Sequence, residues 1–334
     1  MSAPCRWFAL AFVAYAALLL AACGSGSPGA PSPVASPSPV PSGPLHAVGI
    51  VLFYDEDGDV RLDRAEEVRL PGVRVQVAGH SALTDGAGRA QVPDVPGGAQ
   101  QASLDADALP PFWLVPSALA LQVPEPADTP FGVRLPIGAN RRNVYMAVGD
   151  SITVGDGSND GAGYVARLEA QLARQLGRAM LVNRGVTATD SAEGQKLIRD
   201  QLRAERPAYT LIQYGTNDWH HCGGQVPCYT IENLRRMLVA VKGAQSLPCL
   251  ATIIPANPEL NPAGRNIWIR NIDMLIRDLA AEQDALLVDL EAAFLRQPDL
   301  AGLYTDHVHP NDRGHRLIAD EFLRAITQPR GAGD

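Results

Sequence analysis

The chain has 334 residues, 46% of them apolar and 19% charged, which is enough for a sizeable core and for more than one domain. Its 28 basic and 36 acidic residues leave a formal charge of −8, which argues against non-specific nucleic-acid binding. No pair of Cys-x-x-Cys motifs occurs, so no structural zinc is expected.

Residues 1–22 read as a targeting segment: a single charge at Arg6, an apolar run from Trp7 to Leu20, and small residues up to Cys23. Leu20-Ala21-Ala22-Cys23 resembles the lipobox of bacterial lipoprotein signal peptides. The resemblance implies that Cys23 is lipidated and becomes the mature N-terminus, anchoring the protein to a membrane. The other readings are an ordinary cleaved secretory signal and an uncleaved anchor helix; on all three the body is exported. The expected location is the cell envelope. Gly24 stands where Gram-negative lipoproteins carry the Asp that retains them at the inner membrane, which favours the outer membrane in such a host.

Residues 23–44 alternate Pro, Ser, Ala and Gly without a charge and read as a tether. Residues 45–138 show short Val- and Leu-rich runs between Gly, Pro and Asp turns, the pattern of a small β-sandwich. Its opening, Gly49-Ile-Val-Leu-Phe-Tyr-Asp-Glu-Asp-Gly-Asp, with Leu70 to Val75 and Thr84 to Arg89, resembles the prealbumin-like B-repeats of bacterial surface adhesins. In that family an acidic loop binds calcium. Asp55, Asp57, Asp59, Asp63 and Glu66 fall on the spacing of such a loop, and a solvated acidic turn is the alternative. The sixth loop position, where a glycine makes the turn, is Val60, and a β-branched residue tolerates positive φ poorly. This region reads as a spacer or binding accessory.

Residues 139–334 change to alternating strands and helices, with strands expected at Val144–Val148, Met180–Asn183, Tyr209–Tyr214, Leu250–Ile254 and Leu286–Leu290. Trp268, Ile272, Leu275, Ile276 and Leu279 share one helical face. Such alternation gives a parallel sheet covered on both faces, with ligands at the carboxyl ends of its strands. Ser151 follows the first strand, Gly185 the second and Asn217 the third, while Asp306 and His309 lie near the C-terminus. These supply a nucleophile, oxyanion donors, a base and the carboxylate that orients it, the parts needed for acyl transfer. His309 is the expected base for Ser151, Asp306 its partner, and the N–H groups of Ser151 and Gly185 with the Asn217 amide the oxyanion hole. Asp150 and Asp218 read as structural carboxylates, and Trp219, His220 and His221 as the rim of the site. Cys222 and Cys228 flank a Gly-rich loop and could close a small disulfide; Cys249 reads as a buried thiol.

The four blocks resemble the SGNH (GDSL-type) hydrolases over residues 143–328, with Gly-Asp-Ser-Ile-Thr in place of Gly-Asp-Ser-Leu at the first. The resemblance implies a flavodoxin-like three-layer α/β/α domain that hydrolyses carboxylic esters without a cofactor. The expectation is therefore a lipid-anchored serine esterase acting on a small-molecule or polymer ester. The alternatives are a surface-binding or adhesion protein with a non-catalytic hydrolase-like domain, and an acyltransferase.

Overall fold

The computed structural model describes residues 43–114 and 116–329; the signal, the lipobox cysteine and nearly all of the tether lie outside them. Seven strands come first: β1 (Leu45–Tyr54), β2 (Arg74–Val77), β3 (His80–Leu83), β4 (Arg89–Pro96), β5 (Gly98–Leu104), β6 (Leu119–Val123) and β7 (Thr129–Val133). They form two sheets, ordered β4-β1-β7 and β3-β2-β5-β6. Alternate residues point inward, so Val75 and Val77 of β2, Leu121 and Val123 of β6 and Ile50 and Leu52 of β1 meet in one core.

From Arg141 the chain alternates strand and helix: β8 (Arg141–Gly149), α1 (Ser151–Val154), α2 (Gly163–Leu176), β9 (Met180–Gly185), α3 (Ser191–Glu205), β10 (Pro207–Gln213) and α4 (Trp219–Cys222). Then come α5 (Tyr229–Gly243), β11 (Leu247–Ala251), α6 (Ala263–Glu282), β12 (Leu286–Val288), α7 (Leu290–Leu295) and α8 (Asp312–Thr327). The five strands are all parallel and ordered β12-β11-β10-β8-β9. Counted along the chain this is the 2-1-3-4-5 order of flavodoxin-like sheets, whose direction reverses at β8 and β10. The loops after these two strands therefore border the crevice where ligands bind.

The strands are apolar on both faces because both faces are covered. Tyr145 and Ala147 of β8 pack with Leu168 and Leu172 of α2 and Ile318 and Phe322 of α8. Met146 and Val148 face Ile198 of α3 and Leu234 and Leu238 of α5, and Trp268, Ile272 and Ile276 of α6 complete that side. The fourth strand is Leu247–Ala251 rather than Leu250–Ile254. The apolar run continues to Ile254, so hydrophobicity alone marks no end, and pairing with Tyr209 to Ile212 sets the register.

The sandwich and the α/β layers form one compact unit. Tyr54, Val68, Leu135 and Ile137 belong to the same buried cluster as Tyr145 and Tyr209. Tyr54 meets Trp113 edge-on at 4.9 Å, and Tyr145 stacks on Tyr209 at 5.0 Å. Polar ties reinforce the junction: Arg69 N–H donates to the Leu176 carbonyl, Arg142 Nε to the Glu56 carbonyl, and Asn143 Nδ2 to Glu56 Oε1.

Candidate active site

Ser151 is the first residue of α1, at the carboxyl end of β8. Asp150 caps the helix by accepting the Ile152 N–H at 3.0 Å. A side chain on Gly149 would run into Thr153 and the Gln213 carbonyl, so only glycine lets this turn press onto β10. Full burial pushes the Asp150 carboxyl up to about 7.

Ser151 Oγ lies 2.9 Å from His309 Nε2, and His309 Nδ1 lies 2.7 Å from Asp306 Oδ2. Asp306 Oδ1 accepts the backbone N–H groups of Val308 and His309, both at 2.8 Å. Burial alone would raise the Asp306 carboxyl, but the His309 ring, these two amides and the imidazole's charge together outweigh it and hold it at about 2. An ionised Asp306 keeps the proton on Nδ1 and leaves Nε2 free to accept the Ser151 proton. Asn311 caps α8 just beyond and fixes where the His309 loop turns back.

Asn217 uses one amide hydrogen on the Thr189 carbonyl, at 2.8 Å, and retains a second. Gly185 behaves differently from the sequence assignment, because its N–H donates to Asn183 Oδ1 at 2.9 Å. A Cβ on Gly185 would sit 2.6 Å from Val154 N and 3.0 Å from the Asp150 carbonyl. Its glycine character serves the approach of β9 to the nucleophile turn, and its N–H is already committed. A residue that sequence reasoning missed is Ala188, which has φ 63. It lies between Thr187, whose hydroxyl reaches Asp156 Oδ2 at 3.5 Å, and Thr189, which holds Asn217. Among the described residues its N–H has no hydrogen-bond partner. Left-handed backbone at a non-glycine residue is strained and gathers at functional sites. No glycine in Thr187-Ala188-Thr189 advertised the turn.

The rim is polar. His220 and His307 are exposed; the partial desolvation of the His220 ring, then the charges of Arg265, His221 and His307, pull its imidazole down. His307 stands edge-on to His309, with ring centres 6.4 Å apart. His221 Nδ1 is 3.4 Å from Asp190 Oδ2, which also accepts the Tyr229 hydroxyl at 3.0 Å. Cys222 and Cys228 are joined, with Cα atoms 5.9 Å apart, and Trp219 packs edge-on against buried Trp268. Asp218 is buried and accepts the Ser191 N–H and the hydroxyls of Ser191 and Thr230, tying the Asn217 loop to α3 and α5. Cys249 is a buried free thiol.

In the sandwich, Asp55, Asp57 and Asp59 offer carboxylate oxygens within 4.8 Å of one another. Asp63 and Glu66 are turned to backbone amides, Glu66 to those of Glu56 and Asp63. Arg134 pairs with Asp55 at 2.7 Å and also donates to the Gly58 carbonyl. Val60 does adopt positive φ, at 64. Calcium draws six to eight oxygens, and here the Arg134 guanidinium competes for one oxygen of Asp55.

A serine, an imidazole and a carboxylate in hydrogen-bonded series, at the switch point of a 2-1-3-4-5 parallel sheet, define a serine hydrolase of the flavodoxin-like α/β class. The chain belongs to the GDSL-like Lipase/Acylhydrolase family, which matches residues 147–317. It is 28% identical over 219 residues to an acetylxylan esterase of Geobacillus stearothermophilus, covering 57% of this chain and 95% of that one. It is also 28% identical over 143 residues to esterase TesA of Pseudomonas aeruginosa, covering 43% and 68%. Among solved structures, a lipase/acylhydrolase from Enterococcus faecalis aligns with a TM-score of 0.48 at 21% identity, over 57% of this chain and 100% of that one. The protein is an ester-bond hydrolase.

Proposed function

We propose that the chain is an exported, lipid-anchored serine esterase that removes short acyl groups, acetyl first among them, from a carbohydrate or envelope polymer. The Ser151–His309–Asp306 series, with spacings of 2.9 and 2.7 Å, carries the reading. His309 takes the Ser151 proton as Oγ bonds to the ester carbon. The carbonyl oxygen gains the negative charge and is met by the N–H groups of Ser151 and Ala188 and the free Asn217 hydrogen. The intermediate collapses, the alcohol leaves with the proton from His309, and the acyl group stays on Ser151. Water then attacks with His309 as base and releases the acid. No step draws on a cofactor.

The polar rim and the acetylxylan esterase among the relatives support a sugar-borne acetyl ester. The lipobox-like Cys23 and the B-repeat-like sandwich support an envelope setting, with the sandwich as spacer or surface-binding accessory. The test is hydrolysis of p-nitrophenyl esters from acetate to palmitate by the full-length protein in detergent, with Ser151→Ala alongside. Activity confined to short chains and absent from the variant is expected. Activity rising with chain length would move the substrate to lipid, and equal rates in both proteins would remove Ser151 from the chemistry and favour a binding protein.

A further inference from the structure

Arg265 lies in the first turn of α6, outside every sequence block above, and is 3% exposed. A buried guanidinium is costly unless a carboxylate compensates it, yet among the described residues Arg265 has no acidic partner. It spends its hydrogens elsewhere. Nη2 donates to the Thr216 carbonyl at 3.0 Å, and Nη1 donates to Asn261 Oδ1 at 3.1 Å. Thr216 is half of the peptide that begins Asn217. Asn261 in turn donates to the His307 carbonyl at 2.6 Å and the Asn257 carbonyl at 2.9 Å. Asn257 closes the chain, giving its backbone N–H to the His307 carbonyl at 3.0 Å and its amide to the Asp306 carbonyl at 3.2 Å.

We propose that Arg265 is a positioning residue for ester hydrolysis: it couples the Asn217 loop to the Asp306–His309 loop through Asn261 and Asn257, and it sets a buried positive charge behind the oxyanion. The inference rests on the esterase reading above. Two halves of the machinery come from loops more than eighty residues apart in sequence, Asn217 after β10 and His309 before α8. Both must be in register with Ser151 for one tetrahedral intermediate. Arg265 binds the carbonyl of one loop directly and the carbonyls of the other through two asparagines. Its charge also acts on the transition state more than on the neutral ester, because only the transition state carries negative charge on the oxygen. The influence of that charge reaches the rim, where it helps pull His220 down.

The experiment measures kcat and KM on p-nitrophenyl acetate for full-length wild type, Arg265→Met, Arg265→Lys, Asn261→Ala and Ser151→Ala. Active sites are counted with a fluorophosphonate and Tm is recorded for each. Arg265→Met should lower kcat per active site on the order of 10–10²-fold with KM changed by less than about threefold. Arg265→Lys should recover most of the loss by restoring the charge. Asn261→Ala, at the half-buried link between Arg265 and the Asp306–His309 loop, should lower kcat about fivefold with little change in Tm. A folded Arg265→Met with kcat within about twofold of wild type overturns the inference, as does a lysine variant no better than methionine. Should Arg265→Met not fold, wild-type kcat in both Arg265→Lys and Asn261→Ala overturns it equally. Hydrolysis surviving in Ser151→Ala brings down the esterase reading and this inference with it; a dead Ser151→Ala beside an unaffected Arg265→Met brings down this inference alone.

Discussion

Replacing Asn217 with alanine separates two roles that one side chain performs. One amide hydrogen holds the Thr189 carbonyl at 2.8 Å, and the other is free for the oxyanion. Losing the free donor should cost on the order of 10²–10³ in kcat, about 2.7–4 kcal/mol of transition-state stabilisation. Losing the held carbonyl is a ground-state matter. Thr189 is buried, so depriving its oxygen of a partner should cost about 1–3 kcal/mol of stability, which at roughly 2–4 °C per kcal/mol lowers Tm by several degrees. The free donor touches only the charge that develops in the reaction, so KM should stay within about threefold. The assay is steady-state hydrolysis of p-nitrophenyl acetate by the full-length protein, normalised to sites titrated with a fluorophosphonate, with Tm measured on the same samples. A kcat per site within about tenfold of wild type, or a loss expressed in KM alone, would refute the assignment of Asn217 to the oxyanion.

Ala188→Gly should relieve left-handed strain of roughly 1–2 kcal/mol, offset in part by the extra freedom of unfolded glycine, and so raise Tm by a degree or two while keeping activity; a fall in Tm contradicts the strain. Asp306→Asn should lower kcat by about 10⁴, read on the same ester. The Asp306 carboxyl sits at about 2 against an ordinary 3.8, so the stability it contributes is present above that ordinary value and is lost as pH falls towards 2. Asp306→Asn should therefore flatten Tm against pH in that window, and an unchanged acid limb counts against the cause given for the shift. Calcium at the acidic loop would compete with Arg134 for Asp55. Arg134→Ala should thus show a larger rise in Tm than wild type when calcium chloride replaces magnesium chloride, and no rise in either protein removes the ion from the account.

The Ser151, Asn217, Asp306 and His309 positions stood out in the sequence because each is a polar residue at a loop beside a strand or helix, set against apolar runs. Ser151 opens α1 after β8, Asn217 follows β10, and Asp306 and His309 stand in the loop before α8. Gly185 misled because a glycine after a strand suggests room for a substrate, whereas the space it frees is taken by the Val154 and Asp150 backbone. Ala188 was invisible because positive φ is signalled in sequence by glycine or asparagine, and neither is present there. Arg265 was hidden by pattern as well. Of the three arginines of α6, Arg265, Arg270 and Arg277, nothing but the fold distinguishes the one that is buried. The sandwich was readable from its alternation, but its shared core with the α/β layers was not, since Tyr54 and Tyr145 are each plausible core residues of their own halves.

That shared core has a consequence for how the protein can be divided. Because β8 runs from the junction at Arg141 to the nucleophile turn at Gly149, the sandwich grips the sheet at the end opposite the chemistry, about 26 Å away at strand rise. A catalytic half cut free at that junction would lay open the stacked Tyr145 and Tyr209, with Leu176 and Ile326 beside them, to water. The two halves are therefore not interchangeable cassettes: the hydrolase brings its pedestal with it, and any partner grafted in place of the sandwich would have to supply an aromatic socket of the same shape.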